Sequence, residues 1–413
     1  MPHAVVNRAF RYRFYPTDEQ AAQLARTFGC VRKVYNLALE ARTEAWQQRG
    51  EHSNFAKTSL LLTSWKHTDE LGYLNEVSSV PLQQALRHLQ SAFENFWTKR
   101  ARYPRFKSGK RSRASATYTR SAFRYSDGRL TLAKMREPLN ISWSRPLPPD
   151  VEPSSVTVTR DSGARWFVSM ICADSRIQPL PRINTAVGID VGVHNLITLS
   201  TGEKIANPKY EQRDRLRVAR AGRALNRKTP GSENRKKARI RLARAHVRIA
   251  DRRRNQLHEL TTRLVRENQT LVIEDLPVRN MIRNRRLARA ISDAAWGMFR
   301  DMLTYKAAWY GRELIVVDRW FPSSKLCSAC GRRNGDLALR IRFWVCADCG
   351  AAHDRDVNAA KNLLAAGRAV TVCGDDVRPR RRSPERQSPM KQKASGREGR
   401  MPLPTQESGK RQP

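Results

Sequence analysis

The sequence predicts an α/β protein, and three observations carry that reading. In the second half, short apolar runs at 186–206, 271–275 and 314–318 alternate with longer stretches of helical period. In the first half, helix-period segments up to about residue 102 give way to strand-like runs separated by Ser126-Asp127-Gly128 and Asp161-Ser162-Gly163 turns. Two CxxC pairs interrupt the connection between the final strand and the final helix. At 413 residues the chain is too long for one ordinary core, so two or three domains are expected.

The elements follow in order. Val5, Val6, Ala9, Phe10, Tyr12 and Phe14 predict a strand ending at Tyr15-Pro16. Thr17-Asp18-Glu19-Gln20 reads as an N-cap with acids in the first turn, opening a helix to about Arg49. Its apolar face is Leu24, Phe28, Val31, Tyr35, Leu39 and Trp46; helices at 55–67 and 81–102 follow, the second with Leu82, Leu86, Leu89, Phe93, Phe96 and Trp97. These aromatics are expected in the core. Tyr103-Pro104-Arg105-Phe106-Lys107 begins a basic loop, and the runs 116–125, 129–133, 139–143, 154–160 and 165–172 then predict a small antiparallel barrel or sandwich. If the N-terminal strand joins it, the helical segment is an insertion.

Gln178-Pro179-Leu180-Pro181 closes that region as a linker. Residues 186–206 predict three strands in hairpins, then a long helical stretch broken at Thr229-Pro230-Gly231-Ser232. Residues 209–255 carry 18 Lys and Arg against four Asp and Glu, with Ile240, Ala243, Val247 and Ala250 spaced to pack one face of a basic helical hairpin. Strand 271–275, helix 285–310, strand 314–318, the cysteine segment and helix 356–367 complete an order that is that of an RNase H-like sheet. From about 371 onward no aromatic occurs, which predicts a disordered basic tail, 371–413.

Composition narrows the partners. With 78 Lys and Arg against 38 Asp and Glu the formal net charge is +40, and a polyanion is the natural counterpart. No apolar run reaches spanning length and residues 1–11 lack a signal-peptide core, so a cytoplasmic, nucleoid-associated location without a membrane partner is expected. Of seven cysteines, four sit in the CxxC pairs and Cys30, Cys172 and Cys373 are scattered, which is metal usage rather than a disulfide framework.

Two kinds of metal chemistry are written in the same stretch. Cys327, Cys330, Cys346 and Cys349 have zinc-ribbon spacing; four thiolates leave no place for water, so structural zinc is the default and a rubredoxin-like iron site the alternative. Directly after them Asp354-Arg355-Asp356 opens an apolar helix. Upstream, Asp190 stands between Gly188 and Gly192, and Glu274 ends the run Leu271-Val272-Ile273. A site with two divalent cations about 3.5–4 Å apart needs such carboxylates on rigid elements, and it can activate water against a phosphodiester. Asp190 suits a bridging role, Glu274 projects from a strand end, and Asp356 gains from the helix N-terminal dipole. Asp275 and Asp354 are adjacent competitors.

Taken together, Gly188-Ile189-Asp190-Val191-Gly192, Ile273-Glu274-Asp275-Leu276, Phe321-Pro322-Ser323-Ser324-Lys325-Leu326-Cys327 and Asp354-Arg355-Asp356-Val357-Asn358-Ala359-Ala360-Lys361-Asn362 resemble the TnpB family, RNA-guided DNA endonucleases of insertion sequences related to type V CRISPR effectors. The resemblance spans roughly residues 5–367 and implies a split β-barrel wedge domain (1–15 and 103–180) around an inserted helical recognition domain (16–102). It further implies a RuvC-like nuclease domain (183–325 and 351–370) holding a zinc-ribbon insertion (326–350). The implied catalytic set is Asp190, Glu274 and Asp356 with two Mg²⁺; one structural Zn²⁺ would sit on the four cysteines. The implied partners are a guide RNA from the transposon end and double-stranded target DNA, in a monomeric ribonucleoprotein. Ser79, Gln83 and Thr119 would read a short transposon-associated motif in that DNA. A catalytically silent RNA-guided repressor and a strand-transferring transposase are the competing readings.

Overall fold

A nine-residue strand with alternating side chains starts the fold: in β1 (Val6–Phe14) Phe10, Tyr12 and Phe14 are buried while Arg11 and Arg13 face the other way. The computed structural model describes residues 6–110, 112–148, 151–335, 337–338 and 340–372. Helix α1 (Asp18–Arg49) begins with the expected N-cap, which the structure completes as a capping box: the Thr17 hydroxyl accepts from the Gln20 N–H at 3.2 Å, and Gln20 Oε1 accepts from the Thr17 N–H at 3.2 Å. Helices α2 (Phe55–Trp65) and α3 (Ser79–Trp97) follow.

Strands β2 (Ala114–Thr119), β3 (Phe123–Ser126), β4 (Arg129–Leu132), β5 (Ile141–Ser142), β6 (Ser155–Arg160) and β7 (Trp166–Asp174) come next. They and β1 form a five-stranded antiparallel sheet in the order β2-β6-β7-β1-β5, plus the separate hairpin β3-β4. β1 does join this sheet, paired along its length with β7 from Val6↔Asp174 to Phe14↔Trp166. The helices therefore interrupt a sheet in sequence. Leu24, Phe28, Leu82 and Leu89 from the helices share one core with Phe10, Val156, Met170 and the hairpin's Leu130 and Leu132.

The second sheet has the order β10-β9-β8-β11-β12. β8 (Ala186–Val191), β9 (Asn195–Leu199) and β10 (Lys204–Ala206) are antiparallel hairpins, and β11 (Thr270–Glu274) and β12 (Glu313–Val317) add in parallel on the β8 side. Helices α4 (Tyr210–Asn226) and α5 (Glu233–Glu267) connect β10 to β11; α6 (Val278–Met281), α7 (Ala288–Ala294) and α8 (Trp296–Tyr310) connect β11 to β12. The cysteine segment, with strands β13 (Phe343–Val345) and β14 (Ala352–Asp354), leads into α9 (Arg355–Val372). One face of the sheet packs Val187, Ile189, Leu271 and Ile273 against Leu257, Leu264, Phe299 and Leu303; the other takes α9 through Leu363 and Leu364 against Val272 and Val317.

Several local expectations change. The helix expected over 285–310 is two helices, because Ala295 takes a left-handed φ of 53° between α7 and α8, and a short α6 precedes them. The helix expected over 81–102 ends at Trp97, where Lys99 turns to φ 57°. Trp46 and Trp97 are half-exposed rather than core, each at the outer edge of its helix's apolar face. In α5 the packed face is Ala238, Ala245 and Ile249, and Ala250 is exposed: a long helix selects its buried stripe by where its neighbours lie. The expected tail falls, apart from the last turn of α9, on 373–413, outside the described residues, as does Cys373. The described residues up to 369 form one compact unit, and beyond it only the end of α9 is described.

One close approach fixes α9. A Cβ on Gly188 would lie 2.0 Å from the Ala360 carbonyl oxygen and 2.8 Å from the Leu364 nitrogen. Because both are backbone atoms of a helix, they cannot step aside singly. Gly188→Ala is therefore expected to push α9 off β8 and destabilise the fold by about 1–3 kcal/mol or more, read as a lowered urea midpoint with unchanged slope; an unaltered midpoint would show that α9 does not pack there.

Candidate active site and metal centre

Side chains alternate along a strand, so Gly188 and Asp190 share one face of β8, as Val272 and Glu274 share one face of β11. Gly188 and Val272 are direct partners in the parallel register, so the two acids stand on neighbouring strands and face the same side. That side is the one α9 covers: its backbone meets Gly188, and a Cβ on Gly367 would come 2.5 Å from Val272 Cγ2. Asp356 lies one turn before Ala360, in the first turn of α9. Burial, and then the negative charges of Asp356 and Glu274, push the Asp190 carboxyl up to about 8. Burial also raises Glu274, with neighbouring Asp275 adding to it. Asp190, Glu274 and Asp356 are each half-buried.

The competing acids have other partners. Asp354 Oδ1 accepts from the backbone N–H groups of Asp356 and Val357, each at 3.1 Å, which caps α9, and its Oδ2 meets Lys204. Asp275 is held by Arg300 and Arg319 together, and the first of these bonds leads the causes that lower its pKa. One functional neighbour was not singled out in the sequence: Arg342, next to β13, donates from Nη1 to Asp356 Oδ1 at 3.1 Å. Its position depends on the cysteine segment folding back, and no local pattern marks it.

The four cysteine sulfurs lie within 4.8 Å of one another, with Cys327–Cys349 at 3.6 Å and Cys330–Cys346 at 3.7 Å. Zn–S bonds of about 2.3 Å in a tetrahedron put sulfurs roughly 3.8 Å apart, so this donor set fits one structural zinc. Each knuckle closes on a left-handed glycine: the Gly331 N–H donates to Cys327 O at 2.9 Å and the Gly350 N–H to Cys346 O at 3.0 Å, with φ of 77° and 70°. His353 Nε2 lies 3.0 Å from Cys327 Sγ.

The cysteine segment is tied to the helix that carries Asp356. The Ser328 N–H donates to Asn358 Oδ1 at 2.8 Å, Asn358 Nδ2 donates to Leu326 O at 2.6 Å, and Asn362 Nδ2 donates to Ser323 O and Leu326 O at 2.7 and 2.8 Å. Both asparagines are buried, as is Arg355, which donates to Ala338 O at 2.7 Å. The motif's asparagines thus serve as staples between ribbon and helix. The three residues expected to read a DNA motif fall on adjoining elements. Ser79 and Gln83 are exposed one turn apart on α3, and Thr119 ends β2, against which α3 packs.

The free carboxyl of Asp190 has a direct consequence for cations. With its pKa raised to about 8, it is expected to hold at neutral pH a proton that a divalent ion bound there would displace. Mg²⁺ affinity of the purified protein is expected to rise by up to about tenfold per pH unit between pH 6 and 8 and to level off above. Calorimetric titration across that range checks it; a flat profile would show that Asp190 ionises normally.

Comparison with known proteins gives a consistent picture. The family profile of the IS605 OrfB proteins, described as "Probable transposase", matches residues 155–285. A Cas12f1-like TNB domain matches 296–363, and a helix-turn-helix domain of the same OrfB group matches 1–51, where this chain has β1 and one 32-residue helix. A Streptomyces pristinaespiralis protein named "Putative RNA-guided DNA endonuclease" is 65% identical over 92% of this chain and 94% of its own length. An Escherichia coli protein of that name, InsQ, is 33% identical over 92% and 97%. Among solved structures, Cas12f1 in complex with sgRNA and target DNA has the same fold at 13% identity, with a TM-score of 0.54 over 87% of this chain and 99% of that one. On the strength of the near-full-length relatives, the chain belongs to the TnpB (IS605 OrfB) family.

Proposed function

We propose that this protein is an RNA-guided DNA endonuclease that hydrolyses phosphodiesters with two Mg²⁺ held by Asp190, Glu274 and Asp356. The observation that carries the reading is the meeting of three acids from β8, β11 and the start of α9 on one side of the second sheet, where burial first, and then the charges of Asp356 and Glu274, raise the Asp190 carboxyl. Such a cluster of mutual repulsion has a use when cations neutralise it. Asp190, Glu274 and Asp356 would hold the ions, which would supply activation of water and neutralisation of phosphate charge, and Arg342, now bonded to Asp356, would stand near the phosphate. Relatives named as RNA-guided endonucleases, and the RNA and DNA present in the Cas12f1 complex, support the same partners here. The formal charge of +40 supports a polyanion partner independently.

Within this reading, residues 1–15 and 103–180 are the wedge, 16–102 the recognition segment, 183–325 and 351–370 the nuclease, and 326–350 the zinc ribbon. Ser79, Gln83 and Thr119 read the motif beside the guided target. The test is to sequence the RNA that copurifies and to offer the complex DNA that carries both a matching stretch and variable flanking bases. Cutting is expected only with RNA, match and one flanking motif together, because pairing reads many bases and the protein only a few. RNA-free protein is expected to bind DNA without sequence preference and to lose that binding steeply with salt. Sequence-specific cutting without RNA, or joining of a 3′ end to the target, would replace this reading with the transposase that the family profile's description names; guided binding with no cut would make it a repressor.

A further inference from the structure

Beside Glu274 a cleft of about 560 Å³ opens between the end of β11 and the start of α8, a volume within the roughly 300–1,000 Å³ of small-molecule sites. Leu276, Val278, Trp296 and Phe299 give it apolar walls, and Arg279 and Arg300 bring positive charge beside the carboxylates of Glu274 and Asp301. Trp296 is 7% exposed, and because its indole N–H is itself closed off, the cleft meets its ring carbons rather than its donor. The ring is set there by a strained residue: Ala295 takes φ 53°, and α8 starts behind it with no side-chain cap. Gly297 also lines the cleft, and a Cβ added there would meet nothing within 4 Å. Arg300 is aligned by Asp275, the acid that the metal set leaves over.

These features suit a flat, largely apolar ring attached to an anion. Any strand laid across Glu274 for cutting passes the mouth of this cleft. We propose that the cleft receives one unstacked nucleobase of the DNA strand being cut, beside the scissile phosphate, with the Trp296 ring forming part of its wall. Leu276, Val278 and Phe299 contact the base, and Arg300 faces an adjoining phosphate. The base then fixes the register of the strand over the metal ligands, which makes Trp296 a positioning residue. This inference rests on the nuclease reading and names where its substrate is held.

The test uses the full-length protein with its copurified RNA. In metal-free buffer, a thymidine oligonucleotide with one 5-iodouracil is irradiated, and the crosslinked peptide is identified by mass spectrometry. The expected crosslink is on the peptide that holds Trp296 and Phe299. Gly297→Leu, which adds bulk to the cleft lining at a position where a Cβ meets nothing within 4 Å, is expected to weaken it about tenfold while total oligonucleotide binding changes less than about twofold. With Mg²⁺, a single abasic nucleotide stepped through a matched target is expected to slow cutting about tenfold at one position, and Gly297→Leu is expected to abolish that dependence. Crosslinks only elsewhere, with cutting indifferent to every abasic position, would overturn the cleft and leave the nuclease reading intact. An intact crosslink in protein that cuts no matched target would overturn the nuclease reading alone.

Discussion

Alanine at Asp190, Glu274 or Asp356 is expected to lower guided cleavage by at least about a thousandfold while RNA-dependent target binding persists. Holding the catalytic cations is worth several kcal/mol of transition-state stabilisation, and roughly 4 kcal/mol is a thousandfold in rate. Binding draws on base pairing and on cationic contacts to backbones, which these acids do not make. The neighbouring acids provide the contrast. Asp354→Ala removes the cap of α9, about 1 kcal/mol of stability, and frees Lys204, so a milder loss of rate is expected. Asp275→Ala leaves Arg300 and Arg319 without their shared partner. Parallel cleavage and binding assays on the five variants check the assignment. Full cutting by Asp356→Ala together with loss in Asp354→Ala would show that the helix presents the other carboxylate.

One zinc per chain is expected on Cys327, Cys330, Cys346 and Cys349, and serine at any of them is expected to release it. Structural zinc in small domains contributes about 10–16 kcal/mol of apparent binding free energy, far more than the small cluster of Cys327, Leu337, Trp344 and Cys346 can supply in its place. Asn358, Asn362 and Arg355 bind that segment to the helix carrying Asp356. Zinc loss is therefore expected to disorder the approach to Asp356 and to lower cleavage about as far as removing the acid, with the flanking motif still read. Metal analysis and motif-selection assays on Cys346→Ser decide this. Iron in active protein, or full activity without metal, would refute the site.

Much of this molecule was legible from short-range signals. The N-cap of α1, the three hairpin strands 186–206, the apolar runs that become β11 and β12 and both cysteine knuckles depend on residues a few positions apart, and each formed as its pattern implied. The misreadings share one cause. The break at Ala295 and the choice of Ala238, Ala245 and Ile249 as the packed face of α5 depend on distant partners: Asp293, just before the break, accepts from the Glu211 backbone at the start of α4 and from Arg253 of α5.

The sequence by itself determined which chemistry the chain can support, because ligand identity and knuckle spacing are local and a charge of +40 needs no fold to be counted. Only the tertiary structure decided which acids come together and how closely. Gly188 lets the α9 backbone reach β8, the parallel register sets Asp190 beside Glu274, and the folded ribbon brings Arg342 to Asp356. Asp354 and Asp275 are carboxylates close in sequence to Asp356 and Glu274. They differ in what surrounds them, and the surroundings come from parts of the chain far away in sequence.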